Sequence, residues 1–299
     1  MATTIIQSFN EYSKNLEITN LQTSTVANCR RNVTTKIGKV LSLHPEESKV
    51  IGSWARNTLA RRLSEGDVDV MVVLHYGNNI GWTGNDGVVK CLDKFKEILQ
   101  KAYPSTPMRR DVNCITMQLS QFRLDVVPSF KFTGSNGGGD YYVIPDSKRN
   151  QWIPTDPFAF ASLMTNVNTV MKGDFKPLIK MVKGWNRENG WPIRSLHLEA
   201  MMYHHFNNYI QTYTMDSMLK VFFANLPSYL SAPCFEPIKN DRLDDYLDSS
   251  STRTRISAYN KAKKAAELSH NAFSWKSISP EKSIKIWKIL LGEFYPNYG

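Results

Sequence analysis

The run Asp67-Val68-Asp69-Val70-Met71-Val72-Val73-Leu74 reads as one β-strand with two unlike faces. Side chains alternate along a strand, so Val68, Val70, Val72 and Leu74 share one face and Asp67, Asp69 and Met71 the other. The apolar face has to be covered by a core. The opposite face carries two carboxylates side by side, and an unpaired buried carboxylate is strongly disfavoured. Phe122-Arg123-Leu124-Asp125-Val126-Val127-Pro128 repeats the design, with Phe122, Leu124 and Val126 on one side and Arg123, Asp125 and Val127 on the other. A chain with two such strands needs a sheet that is apolar on one face and able to receive positive charge on the other.

Gly52-Ser53 precedes a short predicted helix, and a tight reversal at Ser64-Glu65-Gly66 leads into the first of these strands. Taken singly, Gly-Ser before a helix is an N-cap, Asp-x-Asp is a solvated strand end, and Asp125 has Arg123 nearby as an ion partner. Jointly, three carboxylates beside a Gly-Ser turn suit chemistry on a nucleoside triphosphate. Magnesium takes oxygen ligands and keeps substrate phosphates in its shell. Two such ions activate an attacking hydroxyl and stabilise a leaving pyrophosphate. Gly52 and Ser53 offer backbone N–H groups and a hydroxyl to phosphates at the positive end of the following helix.

Elsewhere, Ile5, Phe9, Tyr12 and Leu16, then Val26, Cys29, Val33, Ile37, Val40 and Leu41, recur at helical spacing. They predict one long helix over about residues 5–43, or two with a break near Thr19-Asn20. His44-Pro45-Glu46-Glu47 ends it, and Val50-Ile51 forms a first short strand. Val88 to Tyr103 predicts a helix, and Val112 to Leu119 a strand hairpinned onto the Asp125 strand. Gly134 to Asp140 is glycine-rich, but no Gly-Lys-Ser/Thr follows and a strand comes next, so it reads as a mobile hairpin tip and not a phosphate loop. From Pro157 onward the chain reads as helical: Phe158 to Met171, Asp174 to Arg187, a helix opened by Ser195, Ser251 to Ser269 with Ile256 on its packing face, and Glu281 to Phe294. His204 and His205 diverge on a helix and cannot clamp one ion, and Asp241 to Asp248 reads as a solvated loop or helix start.

Gly52-Ser53, four residues, Thr58, then Asp67-x-Asp69, then Asp125 within Leu-Asp-Val-Val-Pro resembles the polymerase-beta-like nucleotidyltransferase superfamily. Ile144-Pro145-Asp146, Trp152 and Thr155-Asp156-Pro157, with the ending Trp287 to Pro296, is similar to its CD-NTase branch. These are the bacterial relatives of cGAS that make cyclic oligonucleotide signals in anti-phage defence. The resemblance implies an α+β protein: a nucleotidyltransferase core with a mixed sheet over residues 1–156, and a helical lobe over 157–299 that closes the nucleotide cleft, the N-terminal helix spanning both. It implies attack of a ribose hydroxyl on the α-phosphate of a nucleoside triphosphate, release of pyrophosphate, and a second round that closes a ring into a cyclic di- or trinucleotide.

The same resemblance implies roles. Asp67 and Asp69 bind two Mg2+ ions, with Mn2+ as an alternative, and Asp125 binds the ion that activates the hydroxyl. Gly52, Ser53, Lys183 and Ser195 hold the triphosphate, since Lys183-x-Trp185 followed by Ser195 and Glu199 is similar to the helical-domain pattern of the superfamily. Lys180, one turn earlier, is a rival for the phosphate role. Leu196 stands where close animal relatives carry a base-stacking aromatic, which leaves Tyr141 or Tyr142 for that task. A product-sensing effector protein and, in some members, ubiquitin-like conjugation machinery are the implied partners.

The net charge of +10 fits anionic partners, but the basic residues are scattered in doublets such as Arg30-Arg31 and Arg61-Arg62, so a stable nucleic-acid partner is not required. No apolar run approaches a membrane span, and Met1-Ala2-Thr3-Thr4 has no secretory pattern. Cys29, Cys91, Cys114 and Cys234 are scattered, which fits reduced thiols in a cytoplasmic protein and neither a zinc site nor a disulfide framework. The alternatives on the same residues are a template-independent enzyme that extends RNA ends, a toxin that nucleotidylates protein or tRNA, and a non-catalytic nucleotide or RNA sensor. Retention of all three aspartates weighs against the last, because a binding module has no need of two metal ions.

Overall fold

A computed structural model of the chain describes residues 2–84, 86–134, 139–208, 213–249 and 254–299. The chain forms two units, one of residues 18–161 and one of residues 1–17 with 162–299. Among the described residues the sheet unit holds seven strands: β1 (Leu43–Ile51), β2 (Asp67–Leu74), β3 (Met108–Arg110), β4 (Ile115–Gln118), β5 (Arg123–Thr133), β6 (Asp140–Asp146) and β7 (Gln151–Thr155). Their order is β1-β2-β5-β4-β3, and β6 joins the far half of β5 and carries β7. β2 and β5 run parallel and all other pairs antiparallel.

The apolar face of the sheet is covered by α2 (Asn20–Gly38) and α4 (Gly87–Ala102). Val26, Val33 and Ile37 of α2 and Cys91, Leu92, Phe95 and Leu99 of α4 pack on Val68, Val70, Val72, Leu124 and Val126. This is the alternation expected from the sequence, and it buries one side of β2 and β5. The other side keeps a small cluster of Met71, Val73 and Tyr142 under Ile51, Ile144 and Phe158, toward the C-terminal ends of the strands. The aspartates occupy the same face at the N-terminal ends.

α2 starts after a break at Thr19-Asn20, the second of the two expected arrangements, because Thr19 caps it in a reciprocal capping box with Gln22. Other elements differ from expectation. β1 is longer than Val50-Ile51: it begins at Leu43, and a register shift between Leu43 and Ser48 absorbs Pro45 and the left-handed Glu47 (φ 51°). Val112 to Cys114 lie outside β4, and β3 is an additional edge strand. The expected hairpin tip at 134–140 includes residues 135–138, which lie outside the described residues.

The helical unit contains α1 (Ile5–Asn15), α5 (Ala159–Val170) from Ser162 onward, α6 (Phe175–Glu188), α7 (Ser195–Phe206), α8 (Met215–Leu230), α9 (Tyr246–Ser249), α10 (Arg255–Trp275) and α11 (Pro280–Leu291). α1 is its spine. Phe9 meets Trp287 and Tyr295 edge-on at 5.2 Å, and the buried Tyr12 donates to the Leu291 carbonyl at 3.2 Å. Gly184 in α6 permits this approach, since a Cβ there would lie 2.3 Å from the Tyr12 hydroxyl. On α10 the packing face is Ala258, Ala262, Ala265, Ser269 and Ala272, while Ile256 is exposed, contrary to its expected place.

The acidic stretch is not simply solvated. Asp244 is fully buried, pairs with Arg242 at 3.1 Å and Arg255 at 2.8 Å, and accepts the Cys234 amide at 3.0 Å. Burial pushes its carboxyl up, but these three donors outweigh that and hold it well below the ordinary range. Among the described residues no helix is long and apolar enough to cross a membrane.

Candidate active site

The turn between β1 and β2 is built around one threonine. The amide of the buried Thr58 donates to the Ser53 carbonyl at 2.9 Å and its hydroxyl to the same oxygen at 3.3 Å. This explains the spacing of Gly-Ser and Thr: the threonine closes the loop that presents Ser53. The helix that follows, α3 (Gly52–Ala55), is a single turn. Its macrodipole is therefore small, and the anion-attracting groups here are individual amides and the half-buried Ser53 hydroxyl, not a helix end as expected.

Gly52 has φ +69°, in the left-handed region. A Cβ at this position would lie 2.0 Å from Oδ2 of Asp69, so the backbone approaches the carboxylate more closely than any side chain permits. Register explains the contact. Ile51 pairs with Asp69, Asp69 with Asp125, and Asp125 with Thr116, so one row of side chains crosses four strands on the same face. In the adjacent row Asp67 pairs with Arg123. The structure thus brings Gly52, Asp67, Asp69 and Asp125 together.

The row is short of positive charge. Burial, then the nearby carboxylates of Asp125 and Asp67, push the Asp69 carboxyl up to about 7, against the opposing pull of Arg56 and Arg123. Asp125 is also raised, by burial, with the Thr116 hydroxyl and Arg123 holding it down. Its Oδ1 is buried and has no hydrogen-bond partner among the described residues. Arg123 ion-pairs with Asp67, and its Nε lies 3.9 Å from Asp125 Oδ2. Thr116 and Arg56 were not singled out from sequence. Their involvement follows from register and from the path of the turn, which residue type does not signal.

The remaining expected site residues belong to the helical unit. Lys183 is buried on α6 and ion-paired with the fully buried Glu199 of α7. Lys180, also buried, pairs with Glu17 at 2.7 Å. Ser195 opens α7, partly exposed, and Leu196 beside it is 37% exposed. Of the two stacking candidates, Tyr141 pairs with Phe132 and so faces the helix-covered side of the sheet, away from the aspartates. Tyr142 is on the aspartate face but is buried, its hydroxyl donating to Glu46 at 2.8 Å. His204 and His205 take separate partners, the Phe235 carbonyl and the Tyr229 hydroxyl.

Over residues 3–168 the sequence matches the family described as the Second Messenger Oligonucleotide or Dinucleotide Synthetase (SMODS) domain. The chain belongs to that family. It is similar to a cyclic AMP-AMP-AMP synthase of Acinetobacter, 28% identical over an alignment of 295 positions that covers 92% of this chain and 81% of the relative. Among solved structures it resembles Vibrio cholerae DncV, a cyclic AMP-GMP synthase, with TM-score 0.74 and 13% identity over 99% of this chain and 98% of that one. It also resembles E. coli CdnC, solved with ATP, with TM-score 0.71 and 14% identity over 98% and 99% of the two chains. CdnC has further been solved in a complex with HORMA-deltaN, where the TM-score is 0.64 at 13% identity over 98% of each chain. At these identities the structural likeness is one of fold, and the fold is the α+β arrangement expected from the sequence.

The SMODS residues suit a hard divalent cation by donor type, since all three are carboxylates and Asp125 keeps an unpartnered buried oxygen. They are not drawn into a ready-made cage: among the described residues no three acidic, histidine or cysteine side chains are grouped tightly enough to hold an ion. Arg123 engages Asp67 instead. The raised acid of Asp69 also has a stability signature. Below the unfolded pKa near 4 both states are protonated and there is no penalty. Between about 4 and 7 the unfolded state gives up its proton while the folded state retains it, so stability falls as pH rises and levels off above 7. Asp69→Asn removes the penalty. In EDTA the variant is expected to exceed the wild type by up to about 4 kcal/mol at pH 8 and to match it near pH 4, as read by urea denaturation.

Proposed function

We propose that this protein condenses ribonucleoside triphosphates into a cyclic di- or trinucleotide second messenger in bacterial anti-phage signalling. Membership of the SMODS family and the names of its relatives support the reaction class. The row that joins Gly52, Asp69 and Asp125, with Asp67 beside it, is the observation in this molecule that carries it. Asp67 and Asp69 would hold both of two Mg2+ ions and Asp125 one of them, with Mn2+ as a substitute. When bound, such ions lower the pKa of an attacking hydroxyl and neutralise charge on the transferring phosphate. Asp69, whose carboxyl is pushed up to about 7, would give up its proton to serve as a ligand. Gly52 leaves room for Asp69 and, with Ser53, offers amides and a hydroxyl to phosphate oxygens. Lys183, which would have to be shared with its partner Glu199, and Ser195 would each contact triphosphate oxygens in this reading. A product-sensing effector is the expected consumer of the product, and the HORMA complex of CdnC supports a regulatory protein partner.

Purified protein incubated with Mg2+, the four labelled ribonucleoside triphosphates and no RNA, then treated with phosphatase and resolved by chromatography, tests the reading. The expected result is a phosphatase-resistant product that is absent with Asp67→Ala/Asp69→Ala and absent without Mg2+. Omission of one triphosphate at a time names its bases. Label transferred to added RNA in an aspartate-dependent way, with no resistant product, would replace the synthase with an RNA-extending enzyme.

A further inference from the structure

Arg123 occupies a position that the cation-binding reading does not use. The parallel register sets it directly opposite Asp67, two residues before Asp125 on the same face of the sheet. Its guanidinium ion-pairs with Asp67, its Nε lies 3.9 Å from Asp125 Oδ2, and that Nε is buried with no hydrogen-bond partner among the described residues. A single side chain thus presents its charge to two of the three carboxylates. The strands fix this geometry, because Arg123 and Asp67 share a row and a face and their Cα atoms cannot separate while the sheet is intact. Asp67 and Arg123 are 43% and 38% exposed, so the pair is weak enough to be broken by a competitor that brings two charges.

We propose that Arg123 is a built-in competitor of the divalent cation: it holds Asp67 in the metal-free protein, yields it when the cation binds, and so sets the cation concentration at which the site fills. This rests on Asp67, Asp69 and Asp125 being the cation-holding set. Arg123 is a positioning residue, acting through Asp67. It offsets part of the repulsion within the carboxylate row when no cation is present and leaves the site unfilled at low cation levels.

The test is binding of Mn2+ alone, without nucleotide, to the full chain, with free Mn2+ followed by electron paramagnetic resonance. Arg123→Gln is expected to bind Mn2+ about fivefold more tightly than the wild type, the upper scale of one partly exposed ion pair. Arg123→Lys, which keeps the charge, is expected to stay within about threefold of the wild type. Affinity for Arg123→Gln equal to or below that of the wild type overturns the proposal. Asp67→Ala/Asp69→Ala separates the two levels of inference. If it binds Mn2+ as the wild type does, the carboxylate reading itself fails. If it loses Mn2+ while Arg123→Gln is unchanged, only the role of Arg123 fails. Should Arg123→Gln not fold, 15Nε-arginine spectra of the wild type decide the matter. The Arg123 signal, assigned by its loss in Arg123→Lys, has to move with the same midpoint as Mg2+ binding, and a signal that stays in place overturns the proposal.

Discussion

Asp69→Asn and Asp125→Asn, each alone, are expected to lower the rate of nucleotide condensation by about 10³-fold or more, the scale of several kcal/mol of lost charge stabilisation in a metal-assisted transfer. Neither change is expected to unfold the protein. Asparagine keeps the shape of the side chain and removes only the charge that the row accommodates poorly. Asp69 is already pushed up to about 7 by burial and by the Asp125 and Asp67 carboxylates, so neutralising it relieves repulsion. A dead enzyme that is more stable at pH 8 in EDTA is therefore the expected combination. An aspartate that merely supported the fold would behave the opposite way, losing stability first and activity with it. The measurement pairs labelled-product formation with urea denaturation on the same preparations. Turnover within tenfold of the wild type for either variant would remove that aspartate from the reaction.

The parts of this fold legible in the sequence are those where one face is buried. β2 and β5 could be placed because their valines alternate with charged or large residues, and α4 because Cys91, Leu92, Phe95 and Leu99 recur on one face. β1 was hidden because His44-Pro45-Glu46-Glu47 carries the marks of a helix terminator. Proline and a left-handed residue are tolerated there because β1 is an edge strand with an irregular register. β3 has only three residues and no pattern of its own, and it exists because β4 offers it an edge. Asp244 looked like one more surface acid, since its partner Arg255 lies eleven residues away at the start of α10 and residue type does not announce that pair.

The same limit governs the site. The three aspartates stood out because carboxylates on apolar strands demand an explanation. Which of them are neighbours depends on the pairing of β2 with β5, and no local rule gives the register of a parallel pair separated by a helix and two strands. That register makes Asp69 and Asp125 a pair, assigns Arg123 to Asp67, and adds Thr116 from β4. Tyr141 fails as a base-stacking candidate for the same reason, because pairing with Phe132 turns it to the helix-covered face. Chemistry was readable from residue type, whereas proximity was set by strand pairing.

Gly52→Ala combines two separable effects, and a second glycine isolates them. At φ +69° an alanine costs about 1–2 kcal/mol from the clash of its Cβ with its own backbone. In addition, that Cβ would lie 2.0 Å from Asp69 Oδ2, so either the carboxylate leaves its row or the turn moves away from it. Gly173 has φ +96° with nothing within 4 Å of a built Cβ, so Gly173→Ala carries the backbone strain without the contact. Both variants are expected to lose about 1–2 kcal/mol in denaturant unfolding. Gly173→Ala is expected to retain wild-type synthesis. Gly52→Ala is expected to lose about 10²-fold or more, because a misplacement of about 1 Å in a positioned ligand is worth that much. Mg2+ should then stabilise Gly52→Ala less than it stabilises Gly173→Ala in thermal unfolding, since the displaced ligand is Asp69. Equal activity losses in the two glycine variants would reduce the role of Gly52 to backbone strain. A loss confined to Gly52→Ala makes the absence of a side chain at this turn part of what the chemistry requires.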